Sequence, residues 1–171
     1  LGTIEPRFGG EDAFTALSKE AEQREIYLIL DMVYNHVSFD SSLLQHHPDW
    51  FYNYPSITDW NDPFQLTHYS VHGLPDINHE NEKAYSYLLE NSIKWQQKGS
   101  LSGFRLDAIR HMENNFISQI SNDLHQQIGS SFWLLGEDFQ GNPNALIERA
   151  EQSNLDALFD FPMHYAIADS F

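Results

Sequence analysis

Gly103-Phe104-Arg105-Leu106-Asp107-Ala108-Ile109-Arg110-His111 is the stretch from which the rest of the chain can be read. It is a short apolar run of strand type that carries ionisable residues at its far end. Successive side chains of a strand point to opposite faces, so Arg105 and Asp107 share one face and Phe104 and Leu106 the other. A guanidinium and a carboxylate thus stand side by side. The pattern recurs in Phe132-Trp133-Leu134-Leu135-Gly136-Glu137-Asp138, which places Glu137 thirty residues after Asp107. That interval suits one βαβ unit, whose two strands lie parallel and end at the same edge of a sheet. Asp107 and Glu137 are therefore expected to face one another.

Working outward, Ile26-Tyr27-Leu28-Ile29-Leu30 is apolar without alternation, as a parallel strand buried on both faces would be, and it ends at Asp31 with Asn35 and His36 just beyond. Ahead of it, Pro6-Arg7-Phe8-Gly9-Gly10 closes in a turn, and Asp12 is placed to cap a helix carrying Ala13, Phe14, Leu17 and Ala21. From Val37 neither helical nor strand periodicity persists, while aromatic residues and prolines accumulate. A structureless loop of about forty residues is uncommon in a compact domain, so residues 37–79 read as a small inserted subdomain with an aromatic core.

Beyond the insertion, Ala84, Tyr85, Leu88, Leu89, Ile93 and Trp95 mark a helix from Glu80 with Gly99 as its stop. Phe116, Ile117, Ile120, Leu124 and Ile128 mark a second, closed by Gly129, and Asn142-Pro143 opens a third. Leu155 to Phe161 reads as a further strand, and the chain ends near Phe171 in a helical segment. Such alternation predicts an α/β fold with a parallel sheet and right-handed crossovers. A doubly wound sheet and a (β/α)8 TIM barrel both fit. A complete barrel takes about 250 residues; on that reading residues 1–36 and 80–171 supply about four strands of a partial barrel, interrupted by the insertion after the first complete strand.

The formal net charge is −16, with 9 Lys and Arg against 25 Asp and Glu, which disfavours nucleic acid and anionic membrane as partners. A neutral substrate is not repelled by such a surface. The absence of cysteine excludes disulfides, zinc–thiolate sites and iron–sulfur clusters. No apolar run reaches the roughly 18 residues of a membrane span. The first residue is Leu1 rather than Met, so the natural N-terminus is expected to be missing, and the compartment (extracellular, periplasmic or cytoplasmic) stays open. The sequence assigns no oligomeric state.

Two carboxylates at the C-terminal ends of neighbouring barrel strands are the equipment of glycoside hydrolysis, one as nucleophile and one as proton donor to the leaving oxygen. The bland reading is that, among 25 acids, most are surface or capping residues; placement after apolar strands, with Arg105 on the same face, favours chemistry. At this point the chain resembles the α-amylase family of glycoside hydrolases and transglycosylases. Asp31-Met32-Val33-Tyr34-Asn35-His36 is similar to its first signature, Leu74-Pro75-Asp76-Ile77-Asn78 to the short one before the third helix, Gly103–His111 to the nucleophile strand, and Gly136-Glu137 to the acid/base strand.

The resemblance implies a retaining α-glucan hydrolase acting on α-1,4-linked glucose oligomers and polymers by double displacement. Asp107 would be the nucleophile and Glu137 the acid/base, held protonated by apolar surroundings, with the pair about 5 to 5.5 Å apart. Arg105 would orient Asp107 and keep it ionised, Asp31 would support that network, and His36 and His111 would lie by the substrate. A transglycosylase of the same family, or a non-catalytic carbohydrate-binding or scaffold homologue, are the alternatives. The chemistry needs no cofactor. In the family's calcium-binding members a structural ion uses the positions of Asn35, Asp76 and the backbone carbonyl of His111, all oxygen donors. The family's third acid, the first strand and the last two strands have no counterpart here. The resemblance thus implies a piece of a longer enzyme, weakly active or inactive alone, with open edges prone to association.

Other candidates read as structural. His68 and His72 have the i, i+4 spacing of a zinc pair, but they lie in an aromatic segment without a clear helix. His46-His47 reads as a solvated loop. The aromatic residues of the insertion are expected mainly in its core, with one or two reaching the cleft, and Arg110 as a rim residue.

Overall fold

The structure, a computed structural model, describes residues 2–171. In chain order it comprises α1 (Gly10–Gln23), β1 (Ile29–Met32), α2 (Ser42–His46), α3 (Pro63–His68), α4 (Glu82–Gly99), β2 (Gly103–Leu106), α5 (Asn114–Ile128), β3 (Trp133–Gly136), α6 (Pro143–Ser153), β4 (Ala157–Leu158) and α7 (Phe161–Ala168). All neighbouring strands are parallel, in the order β1-β2-β3-β4. A doubly wound sheet reverses its order at a switch point. Strictly sequential order is that of a barrel wall, so the open choice between the two folds closes in favour of a partial (β/α)8 barrel.

The register pairs Asp31 with Arg105, Leu106 with Gly136, and Gly103 with Trp133. Gly103 is required by close approach: a Cβ there would lie 2.2 Å from the Trp133 carbonyl oxygen. Phe104, Leu106 and Leu134 are fully buried, as are Ile117, Ile120 and Leu124 of α5. The apolar stripe of α5 and the outward face of the sheet thus form one core, burial of each large side chain contributing about 1.5–3 kcal/mol. The opposite face of β2 presents Arg105.

Several local expectations are corrected. α1 starts at Gly10 behind Gly9, which holds φ 94°, and Asp12 sits inside the first turn instead of capping it. There its charge complements the helix dipole. β1 begins at Ile29 because the Ile26 amide is engaged by Ala21 of α1; a uniformly apolar run carries no alternation from which to place its start. Asn81 caps α4 by accepting from the Lys83 and Ala84 amides. Gly99 is the last residue of that helix rather than its stop, and Ser100 takes the left-handed turn at φ 44°. A Cβ on Gly99 would come within 2.6 Å of the Phe14 ring, so this glycine serves the contact between α4 and α1. The strand expected over 155–161 shrinks to Ala157–Leu158, because Asp160 caps α7, accepting from Met163 N at 2.9 Å. Asn142 caps α6 as its sequence predicts.

Residues 37–79 contain α2, α3 and two short 3-10 turns, at Pro48–Trp50 and Val71–Gly73. Tyr54 stacks on Tyr69 at 5.1 Å and Phe64 on His68 at 4.2 Å, while Trp50 packs against Tyr87 of α4. His46 belongs to α2 and His47 stacks on Trp50 at 4.0 Å, in place of the solvated loop expected there. A single bridge, His36 to Asp76, ties this segment to the loop after β1, and a second, Phe51 to Ile77, joins its two ends. Among the described residues no helix is long and apolar enough to cross a membrane.

Candidate active site

Arg105 gathers the acidic residues at the C-terminal edge of the sheet. Its Nη1 lies 2.6 Å from Asp31 Oδ1 and 2.7 Å from Asp107 Oδ1, and its Nη2 lies 2.6 Å from Glu137 Oε1. The backbone dictates this arrangement. Asp31 and Arg105 are register partners, Asp107 is two residues beyond Arg105 on the same face, and Glu137 follows the pair Leu106–Gly136 on the neighbouring strand. Backbone bonds fix the level of both strand ends: Asp107 N donates to Met32 O at 3.0 Å and Glu137 N to Leu106 O at 2.9 Å. Ala108 then adopts φ 52°, a left-handed conformation that is uncommon for a residue with a Cβ, and turns the chain away into the 3-10 turn Ile109–His111. That turn leaves the Asp107 side chain at the open edge.

Burial works against the charged form of Arg105, but the hydrogen bonds it donates to Asp31, Asp107 and Glu137 outweigh it and raise its pKa above the ordinary value. Glu137 does not lie in the apolar surroundings expected of it. Oε1 is held by the guanidinium and Oε2 accepts from Ala108 N at 3.4 Å. The strand residues that precede it are apolar, yet their side chains serve the sheet interior while the carboxylate emerges at a polar edge.

His36 and His111 stand beside this cluster. Burial lowers the pKa of His36, with the Asp107 charge acting in the opposite direction. Burial also lowers that of His111, which the Leu66 carbonyl partly offsets. Both rings are therefore neutral at pH 7. His111 Nδ1 lies 3.0 Å from Leu66 O, which can only accept, so Nδ1 carries the hydrogen and Nε2 is left as an acceptor. Trp60 of the insertion, still 43% exposed, sets its ring edge-to-face against His111 at 5.9 Å. It is one aromatic residue of that segment that reaches the site. Arg110 donates to Phe139 O at 2.9 Å, away from the carboxylates.

Asn35, Asp76 and the His111 carbonyl also converge. Asn35 Nδ2 lies 2.7 Å from Asp76 Oδ1 and 3.1 Å from His111 O. Asp76 is 2% exposed and its Oδ2 is buried with no hydrogen-bond partner; burial pushes its carboxyl up to about 8. An orphaned carboxylate oxygen, a carbonyl and an amide that presents its own oxygen after a half-turn are a donor set that fits a hard divalent cation.

The sequence reading missed the support behind Glu137. Asp138 is almost fully buried and its Oδ2 accepts from Arg149 Nε at 3.0 Å, so α6 anchors the end of β3. The paired acids Glu137-Asp138 were the available signal, but alternation sends them to opposite faces and only packing shows which of them faces inward. A cavity of about 890 Å³ bordered by Ile29, Ser102 and Trp133 lies at the other end of the strands, so cavity size does not locate the carboxylate cluster.

Comparison with known proteins accords with this geometry. The alpha-amylase catalytic-domain family model matches residues 1–171. The beta/alpha-amylase of Paenibacillus polymyxa is 30% identical over 98% of this chain, and the cyclomaltodextrin glucanotransferase of Klebsiella oxytoca 28% identical over 82%. Those matches span only 14% and 25% of the two relatives. Among solved structures, the α-amylase of Geobacillus thermoleovorans complexed with acarbose superposes with a TM-score of 0.91 at 32% identity, over 97% of this chain and 37% of that one. An Anoxybacillus α-amylase gives 0.92 at 30% identity, over 98% and 37%.

Proposed function

The chain belongs to the alpha-amylase catalytic-domain family, and on that premise we propose that it carries the nucleophile and the acid/base of a retaining α-glucan hydrolase. The observation that carries this reading is one guanidinium shared by Asp107 and Glu137 at the C-terminal ends of adjacent parallel strands. Asp107, ion-paired to Arg105, attacks the anomeric carbon as Glu137 gives its proton to the departing glycosidic oxygen. Glu137 then takes a proton from water, whose oxygen attacks the same carbon and releases Asp107. For the first step Glu137 must exchange its contact with Arg105 for a proton and the leaving oxygen, while the guanidinium stays on Asp31 and Asp107. His36 and His111, as neutral rings, offer sugar hydroxyls a donor or an acceptor without adding charge. The substrates are maltooligosaccharides or longer α-1,4-glucans.

Proton NMR of the full-length protein acting on maltooligosaccharides tests the reading. The expected first product is the α-anomer; an initial β-anomer, or no cleavage, overturns it. The similarity to a cyclomaltodextrin glucanotransferase favours transfer to an acceptor sugar as the second reading. Products longer than the starting oligosaccharide would identify it, since only the group deprotonated by Glu137 differs.

We also propose that Asn35, Asp76 and the His111 carbonyl hold a structural calcium, which would supply charge to the orphaned Asp76 oxygen and tie residues 35–37 and 75–77 to the loop after β2. Calcium at a hundred times its dissociation constant is expected to stabilise the protein by about 2.7 kcal/mol. The rise in Tm should be absent in Asp76→Asn. A wild-type Tm that ignores both calcium and EDTA rules the site out.

A further inference from the structure

Ligating groups also converge away from the cleft, where residues 37–79 meet the barrel helices. His68 at the end of α3, Glu80 in the turn before α4 and Glu113 at the start of α5 each bring a ligand atom within 4.8 Å of the others. His68 Nε2 lies 3.8 Å from Glu113 Oε1.

Hydrogen-bond bookkeeping fixes what these atoms offer. The Thr67 hydroxyl donates to Pro63 O at 3.1 Å, which uses its single proton. Toward His68 Nδ1, 2.9 Å away, Thr67 Oγ1 can therefore only accept. Nδ1 therefore carries a hydrogen, and Nε2 is the ring nitrogen that faces Glu113, free to ligate a metal in exchange for any proton it holds. One imidazole nitrogen and two carboxylate oxygens thus converge, a concentration of negative charge and lone pairs that a metal ion can bind. The ring is held in place, 8% exposed, stacked on Phe64 at 4.2 Å and with the Tyr52 ring 4.8 Å away. The Tyr52 hydroxyl is itself buried without a partner. Glu113 occupies the N-cap position of α5, yet its side chain makes no capping bond and is spent on His68 instead.

We propose that His68, Glu80 and Glu113 form a binding site for a divalent transition-metal ion, with zinc as the ion it fits best. One imidazole nitrogen and two carboxylate oxygens leave the fourth tetrahedral position to water. The nitrogen ligand disfavours calcium and magnesium, which take oxygen. Thr67 supplies the outer hydrogen bond that a metal-bound histidine ordinarily makes through its other nitrogen. The zinc pairing considered from sequence, His68 with His72, does not form. His72 lies beyond α3 in the Val71–Gly73 turn at φ 53°, with its ring against Trp60. Bound metal would join three segments far apart in sequence and brace the start of α5, two residues after His111.

Zinc titration of the full chain by calorimetry, with calcium saturating so that oxygen-only sites are filled, tests the proposal. One equivalent is expected to bind, Tm to rise, and cobalt(II) in place of zinc to show the visible bands of a tetrahedral site. Glu80→Gln and His68→Gln should each weaken binding about tenfold or more, whereas His72→Gln should bind as wild type. Glu80 is solvent-exposed, so that variant keeps its fold and the test does not depend on the buried histidine. Absence of saturable binding, or affinity unchanged in both Glu80→Gln and His68→Gln, overturns the site. So does loss of binding in His72→Gln.

Discussion

Replacing Glu137 with Gln is expected to lower turnover of maltooligosaccharides by the full-length protein about 10²- to 10⁴-fold, the usual contribution of a positioned acid/base group. Gln preserves the size of the side chain and its amide oxygen can still accept from Ala108 N, as Glu137 Oε2 does, but it has no acidic proton to give the departing oxygen. A substrate whose leaving group needs no protonation, such as a glycosyl fluoride, should therefore still pass through the first step in this variant. The second step should then recover on addition of azide, which attacks without a base. Asp107→Asn should lose both substrates alike, because no covalent intermediate can form without the carboxylate. Unchanged turnover in Glu137→Gln would remove it from the chemistry. Equal losses on natural and activated substrates would assign it to positioning.

Arg105→Leu is expected to cost the fold about 3 kcal/mol at pH 7, the lower end of what removing one partner of a buried ion pair costs. The guanidinium holds three carboxylates, and Leu would leave Asp31, Asp107 and Glu137 facing one another without a counter-charge. Water moderates the loss, since the Asp31 side chain is 58% exposed while those of Asp107 and Glu137 are 22% and 25% exposed. Urea unfolding of wild type and variant at pH 7 measures the difference. A difference below about 1 kcal/mol at pH 7, the value of an exposed pair, would show that solvent alone accommodates the three acids.

The two predictions rest on residues that the sequence makes legible to different degrees. Asp107 and Glu137 could be found because a strand has a period of two and a βαβ unit a characteristic length, so apolar runs ending in acid place their carboxylates at one sheet edge before any packing is known. Arg105 followed from the same period. The placement of Glu137 on Arg105 did not follow, because the residues before it advertise an apolar environment and strand geometry alone does not say where a side chain beyond the last paired residue will turn. The start of β1 and the extent of β4 were misplaced for a related reason: a uniform apolar run, or one broken by a capping aspartate, fixes neither end.

By itself the sequence determined the alternation of helix and strand, the parallel sheet and the identity of the clustered acids, all consequences of local periodicity and spacing along one chain, and it carried the signatures by which the family is recognised. Local pattern alone left a doubly wound sheet and a barrel wall both open, since they differ solely in which strands hydrogen-bond; the family resemblance pointed to the barrel, and the strand order in the tertiary structure bears it out. The tertiary structure alone brought His68 to Glu80 and Glu113, and it gave Asn35, Asp76 and the His111 carbonyl, which the family resemblance had grouped, their contact distances. Those groups lie far apart in sequence and meet because the insertion packs on the barrel loops, a contact set by the complementary shapes of side chains that no local period records.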